Sequence, residues 1–120
     1  MSEKNCVLTC VTAQKNCARL IHQGAALAKE LGAPLRVLHV CSGNKPTQPE
    51  TAEILNELFS LAHDYQAEMD ILYEPDAPAA IARYAQACGA LLLVMGPDRS
   101  GTATQVKKLL PLDYPVRLYE

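Results

Sequence analysis

Residues 90–101 read Ala90-Leu91-Leu92-Leu93-Val94-Met95-Gly96-Pro97-Asp98-Arg99-Ser100-Gly101. Six apolar residues without a polar interruption, Ala90 to Met95, fit a strand buried on both faces, as in a parallel sheet. Gly96 stops the strand and opens a short polar loop with a second glycine, Gly101. In open α/β sheets ligands sit just beyond strand carboxyl ends, where the strand order reverses. The stretch therefore points to where a ligand would bind, without naming the ligand or any reaction.

Upstream, Cys6 to Val11 predicts a first buried strand. The period then changes: Cys17, Leu20, Ile21, Gly24, Leu27, Ala28 and Leu31 recur on one helical face, and Gly32 with Pro34 stops the helix. Leu35 to Val40 reads as a second strand, followed by a loop over 42–46. Thr47 and Glu50 have capping-box spacing ahead of a helix through Leu55, Leu58, Phe59 and Ala62. Met69 to Tyr73 is a third, more polar strand that suits a sheet edge. Asp76 can cap a helix carrying Ile81, Tyr84, Ala85 and Cys88 and ending at Gly89. After the 91–95 strand come a short helix through Val106, Leu109 and Leu110, a stop at Pro111, and a last strand over Pro115–Tyr119. The order β-α-β-α-β-α-β-α-β, with right-handed crossovers, predicts one α/β domain over 1–120. It is a five-stranded parallel sheet with helices on both faces.

The 120 residues are 49% hydrophobic but include only five tyrosines and one phenylalanine. Such a core is built from Leu, Val, Ile and Ala, which suits close helix-on-sheet packing. A net charge of −2 argues against nucleic acid and anionic membranes as partners. No apolar run approaches the ~20 residues needed to span a bilayer, and the start shows no signal-peptide pattern. A cytoplasmic protein is expected. The five cysteines, odd in number and set in apolar segments, read as reduced core residues.

Several α/β families share this alternation. A phosphoacceptor receiver would carry acids where strand one ends Val11-Thr12-Ala13. Cys6 and Cys10 are not spaced Cys-x-x-Cys, and four residues along a strand put them about 13 Å apart. Walker A and G-x-G-x-x-G fingerprints are absent. His22, His39 and His63 lack ligand spacing, so no metal site is expected, and no catalytic constellation is visible. Glu74, Asp76, Asp98 and Asp113 read as caps and solvated turns.

What remains resembles the universal stress protein family across nearly the whole chain. The matching pieces, in order, are Val7–Thr12 through Ala26–Ala28, Leu38-His39-Val40, Pro75–Ile81, Leu93–Gly96, and Tyr114-Pro115-Val116. The first is most similar to the version found in Kdp-type potassium-sensing histidine kinases. The resemblance implies sheet order 3-2-1-4-5, a crevice between strands one and four, and a small regulatory or ligand-binding protein. It also implies a homodimer joined through the last strand, residues 115–119, and a signalling protein partner.

The family's ATP-binding members have an aspartate where this chain has Thr12, and a glycine where it has Arg99. Their later Gly-Ser or Gly-Thr pair is read as missing from a shortened loop. Backbone amides approach phosphate closely only where glycine permits, so family-typical ATP binding is not expected. The residues that align with the pocket are Cys10, Thr12, Val40, Met95 and Gly96; Val40 and Met95 could flank a flat base. The plain alternative is that Cys10, Val40 and Met95 are strand-end core. Arg99, Ser100, Gly101 and Thr102 could hold an anion at a helix start, although Thr102 and Gln105 also match a capping box. Lys15 and Arg99 would both face the crevice mouth. The expected ligand is an adenine nucleotide or another small anion, if any. A non-enzymatic binding module is the leading reading; a weak nucleotide hydrolase or phosphotransfer protein and a thiol redox sensor are the alternatives.

Overall fold

The computed structural model describes residues 5–12, 17–41, 49–96 and 101–119, of which 49–51 by their backbone only. These residues form β1 (Val7–Cys10), α1 (Ala18–Leu31), β2 (Leu35–Cys41), α2 (Pro49–Asp64) and β3 (Glu68–Tyr73). They continue as α3 (Ala77–Ala87), β4 (Leu92–Met95), α4 (Thr102–Leu109) and β5 (Val116–Leu118). The strands pair in parallel in the order β3-β2-β1-β4-β5, as expected. The Thr47–Glu50 capping box involves side chains outside the described residues.

β1 is buried on both faces because its alternate residues enter separate cores. Leu8 and Cys10 join Leu38, Leu93, Met95, Ile81, Ala85 and Val106 beneath α3 and α4. Val7 and Val11 join Leu20, Ile21, Leu27, Leu58 and Ala62 beneath α1 and α2. With apolar partners on each side, a continuous apolar run is the stable pattern for such a strand.

α1 lies unusually close to this strand. A Cβ added at Gly24 would stand 2.1 Å from Thr9 Oγ1 and 3.1 Å from Leu35 Cδ1. The Thr9 hydroxyl, fully buried, has no hydrogen-bond partner among the described residues. α1 ends as predicted at Gly32, whose φ of 63° suits glycine. Ala33 N–H donates to Ala28 O at 2.9 Å and Gly32 N–H to Lys29 O at 3.2 Å, a Schellman pair that satisfies the last carbonyls. α2 ends the same way without glycine, with Gln66 at φ 58° and Ala67 N–H on Ala62 O at 2.9 Å.

Asp76 caps α3 as expected, accepting from Ala79 N–H at 3.2 Å. The edge strand β3 is held by a polar cluster. Arg36 Nη2 lies 2.9 Å from Glu68 Oε2, Arg36 Nη1 donates to Tyr84 Oη at 2.8 Å, and Tyr84 donates to Asp70. Burial, followed by the Asp70 carboxylate, pushes the Tyr84 phenol well above its usual range.

Four apolar side chains depart from their expected inward face. Leu31, Phe59, Leu91 and Leu109 are exposed. Phe59 falls outside the stripe of Leu55, Leu58 and Ala62 that meets the sheet, since α2 covers an edge and has one partnered face. Leu91 precedes β4, anchored by its N–H on Cys6 O at 2.7 Å.

Replacing Gly24 with Ala is expected to destabilise by about 1–3 kcal/mol through overpacking. Adding Thr9→Ala should recover part of that loss, so that urea unfolding of the double variant is non-additive. Asp76→Ala, with only a cap removed, should cost ~1 kcal/mol.

Candidate functional site

β1 leads through α1 to β2 on one side, while β4 pairs with its other side. The strand order therefore reverses between β1 and β4, where open sheets leave a crevice at the strand carboxyl ends. Thr9 pairs with Val94, so Cys10 and Met95 stand next to each other at that edge. Cys10 pairs with Leu38, and Val40 lies two residues further on, level with Thr12. Val40 and Met95 thus flank the end of β1 from opposite sides. Both join Cys10 in the same apolar cluster, with Cys10 and Met95 buried and Val40 half-buried. They form an apolar floor that is also ordinary core. Burial, with a smaller effect of Cys88, pushes the Cys10 thiol up to about 12, which keeps it protonated and unreactive.

Thr12 is exposed beyond this floor. Its N–H donates to Cys17 Sγ at 3.4 Å, and its Oγ1 lies 3.3 Å from the same sulfur. Cys17 was expected on the apolar face of α1; it is buried, but as the N-cap residue it turns its sulfur back to Thr12 without capping the helix. Val11 O accepts a hydrogen bond from His39 Nδ1 at 3.0 Å, so His39 is a packed histidine and a clamp on the β1 exit.

On the β4 side, Gly96 is half-buried, and β5 stays attached through Tyr119 N–H on Met95 O at 2.9 Å. Gly101, with φ 81°, is the N-cap of α4. The expected Thr102–Gln105 capping box is corrected here. Thr102 is the first helical residue, and Gln105 N–H donates to Gly101 O at 3.1 Å. The reading that no Gly-Thr pair follows the strand is corrected with it, since Gly101-Thr102 is such a pair and stands at the helix start. Neither α1 nor α4 carries an acid in its first turn. The partial positive charge of each helix start is therefore not offset there by a carboxylate. Arg99, Ser100, Lys15 and Asp98 lie outside the described residues.

The other acids behave as turn residues. Glu74 pairs with Arg83 at 3.1 Å, Asp76 caps α3, and Asp113 is exposed. Among the described residues no group of three His, Cys, Asp or Glu side chains could hold a metal ion. No described helix is long and apolar enough to cross a membrane.

The universal stress protein family model matches residues 5–107. A comparison with curated proteins gives no match. Among solved structures, the universal stress protein from Archaeoglobus fulgidus in complex with dAMP superposes with a TM-score of 0.76 at 22% identity, covering 100% of both chains. A universal stress protein family member from Burkholderia pseudomallei gives 0.68 at 18% identity, over 99% of this chain and 98% of that one. A universal stress protein in complex with cAMP gives 0.68 at 14% identity, over 95% of this chain and 97% of its own. At such identities the superpositions speak for the fold alone, while the sequence match covers most of the chain. By that match, this chain belongs to the universal stress protein family.

Proposed function

We propose that this protein is a small cytoplasmic binding module that takes an adenine-containing anion at the β1/β4 crevice and acts without turnover. The observation that carries this reading is the placement of Val40 and Met95 on either side of the β1 end. An apolar slot there suits a flat base, and Gly101-Thr102 heads α4 at the same end of the sheet. That two structural relatives are described in complex with dAMP and cAMP supports the ligand class. A monophosphate fits better than a triphosphate. Only four residues separate Gly96 from Gly101, and Arg99 stands where ATP-binding relatives carry glycine. Within the family, Val7–Thr12 and Ala26–Ala28 support closeness to the Kdp-type sensor kinase version, and hence a signalling protein partner.

Thermal unfolding with dAMP, cAMP, AMP, ATP and inorganic phosphate tests the ligand. A compound at 100 times its Kd should add ~2.7 kcal/mol of stability. No shift across the panel would overturn the reading and leave contact with a protein partner as the function. Gly96→Asp should weaken binding about tenfold or more by setting a negative charge at the crevice mouth, with little effect on the fold. A Cβ there meets only Leu20 Cδ1, at an ordinary 3.4 Å. ATP turnover above background that Gly96→Asp abolishes would instead establish a hydrolase.

We also propose that two copies pair through β5. This strand is three residues long, pairs with β4 on one side, and leaves Leu118 exposed. Light scattering should give twice the chain mass, and Leu118→Lys should halve it; a wild-type monomer at all concentrations would exclude the pairing.

A further inference from the structure

Cys6 and Cys88 meet at the end of the sheet opposite the crevice. Cys6 directly precedes β1, and Cys88 is the C-cap of α3. Although 82 positions apart in the chain, their Sγ atoms lie 3.3 Å apart. Two backbone hydrogen bonds bracket the pair, Asn5 N–H to Gly89 O at 2.9 Å and Leu91 N–H to Cys6 O at 2.7 Å. The sulfurs are therefore held together by the backbone on both sides. Tyr114 lies across the same turn, its hydroxyl donating to Ala90 O at 2.8 Å and lying 3.2 Å from Ala85 O.

We propose that Cys6 and Cys88 form a reversible disulfide on exposure to hydrogen peroxide, stapling the start of the central strand to the end of α3. A disulfide needs the sulfurs to close by only about 1.3 Å, which side-chain torsions can supply. The roles follow from the surroundings. Cys6 is fully buried, whereas Cys88 retains slight exposure. The hydrogen-bonded contact between the two sulfurs, with the Arg36 charge helping, holds the Cys88 thiol below its usual range, and Cys6 is pushed up in turn. Cys88 is accordingly the nucleophile.

Its thiolate attacks one peroxide oxygen, the O–O bond breaks, and hydroxide leaves, taking the proton released from the thiol to become water. Cys6 sulfur then attacks the Cys88 sulfenic acid. The S–S bond forms as the S–O bond breaks, and the hydroxide departs with the Cys6 proton as a second water. Two thiols lose two electrons, and the peroxide gains them. Nothing in this step uses the β1/β4 crevice, so it stands or falls apart from the ligand reading.

The test is oxidation of the reduced full chain, under native conditions, with an equimolar amount of hydrogen peroxide. Alkylation after unfolding should find three free thiols in place of five. Peptide mapping should join Cys6 to Cys88, and dithiothreitol should restore all five. The oxidised chain should melt higher by on the order of 10 °C, because the bond closes a long loop. Cys41→Ser should leave the cross-link intact, and Cys88→Ala should remove it. Five alkylatable thiols after native oxidation would overturn the proposal. So would an intramolecular bridge in Cys88→Ala, or wild-type mapping that joins other cysteines; the mapping needs no variant to fold.

Discussion

The central constraint is that β1 has no solvent face. A four-residue strand with Leu8 and Cys10 in one core and Val7, followed just past its end by Val11, in the other must be covered by helices on both sides. It must also be paired along both edges. The chain meets the first demand by sending α1 and α2 over one face and α3 and α4 over the other. It meets the second by placing β2 and β4 against β1, which obliges the connections to depart in opposite directions. The reversal of strand order between β1 and β4 is thus a by-product of burying one strand completely, rather than a feature added to the fold.

That origin explains the character of the site. Its floor is strand-end core, so Cys10, Val40 and Met95 serve packing whether or not a ligand is present. In the proposed reading, what distinguishes a ligand is carried by the rim: Thr12 tied to Cys17, Gly96 at the β4 exit, and Gly101-Thr102 opening α4. The same division separates the two thiol environments. Cys10 is sealed in apolar packing, whereas Cys88 has a sulfur neighbour and a nearby guanidinium.

Much of this order was legible in the chain, because parallel strands and helix ends write strong local signals. The apolar run at 90–95, Gly32 after Leu31 and Asp76 before Ala77 each correspond to a feature of the fold. The misplacements arise where local spacing admits two geometries. Thr102 and Gln105 fit a capping box, yet Gly101 takes the cap because its positive φ turns the chain one residue earlier. Phe59 fits a helical repeat, yet α2 has only one partnered face. Gln66 ends α2 in a conformation usually left to glycine, with no residue-type signal. The Cys6–Cys88 contact was invisible for another reason: 82 positions separate the residues, and only the pairing of β1 with β4 brings them together.

The contact of Gly24 with Thr9 makes the two walls of the crevice mechanically unequal. At Gly24 α1 contributes no side chain of its own and rests directly on the Thr9 side chain of β1, so it cannot slide or rock without dragging the central strand along. α4 instead sits chiefly on α3, through small and branched residues such as Ala103 and Val106. Any widening of the cleft to admit a guest therefore falls to the α3–α4 layer. That motion would travel down α3 to its far end, where Cys88 and Tyr114 sit.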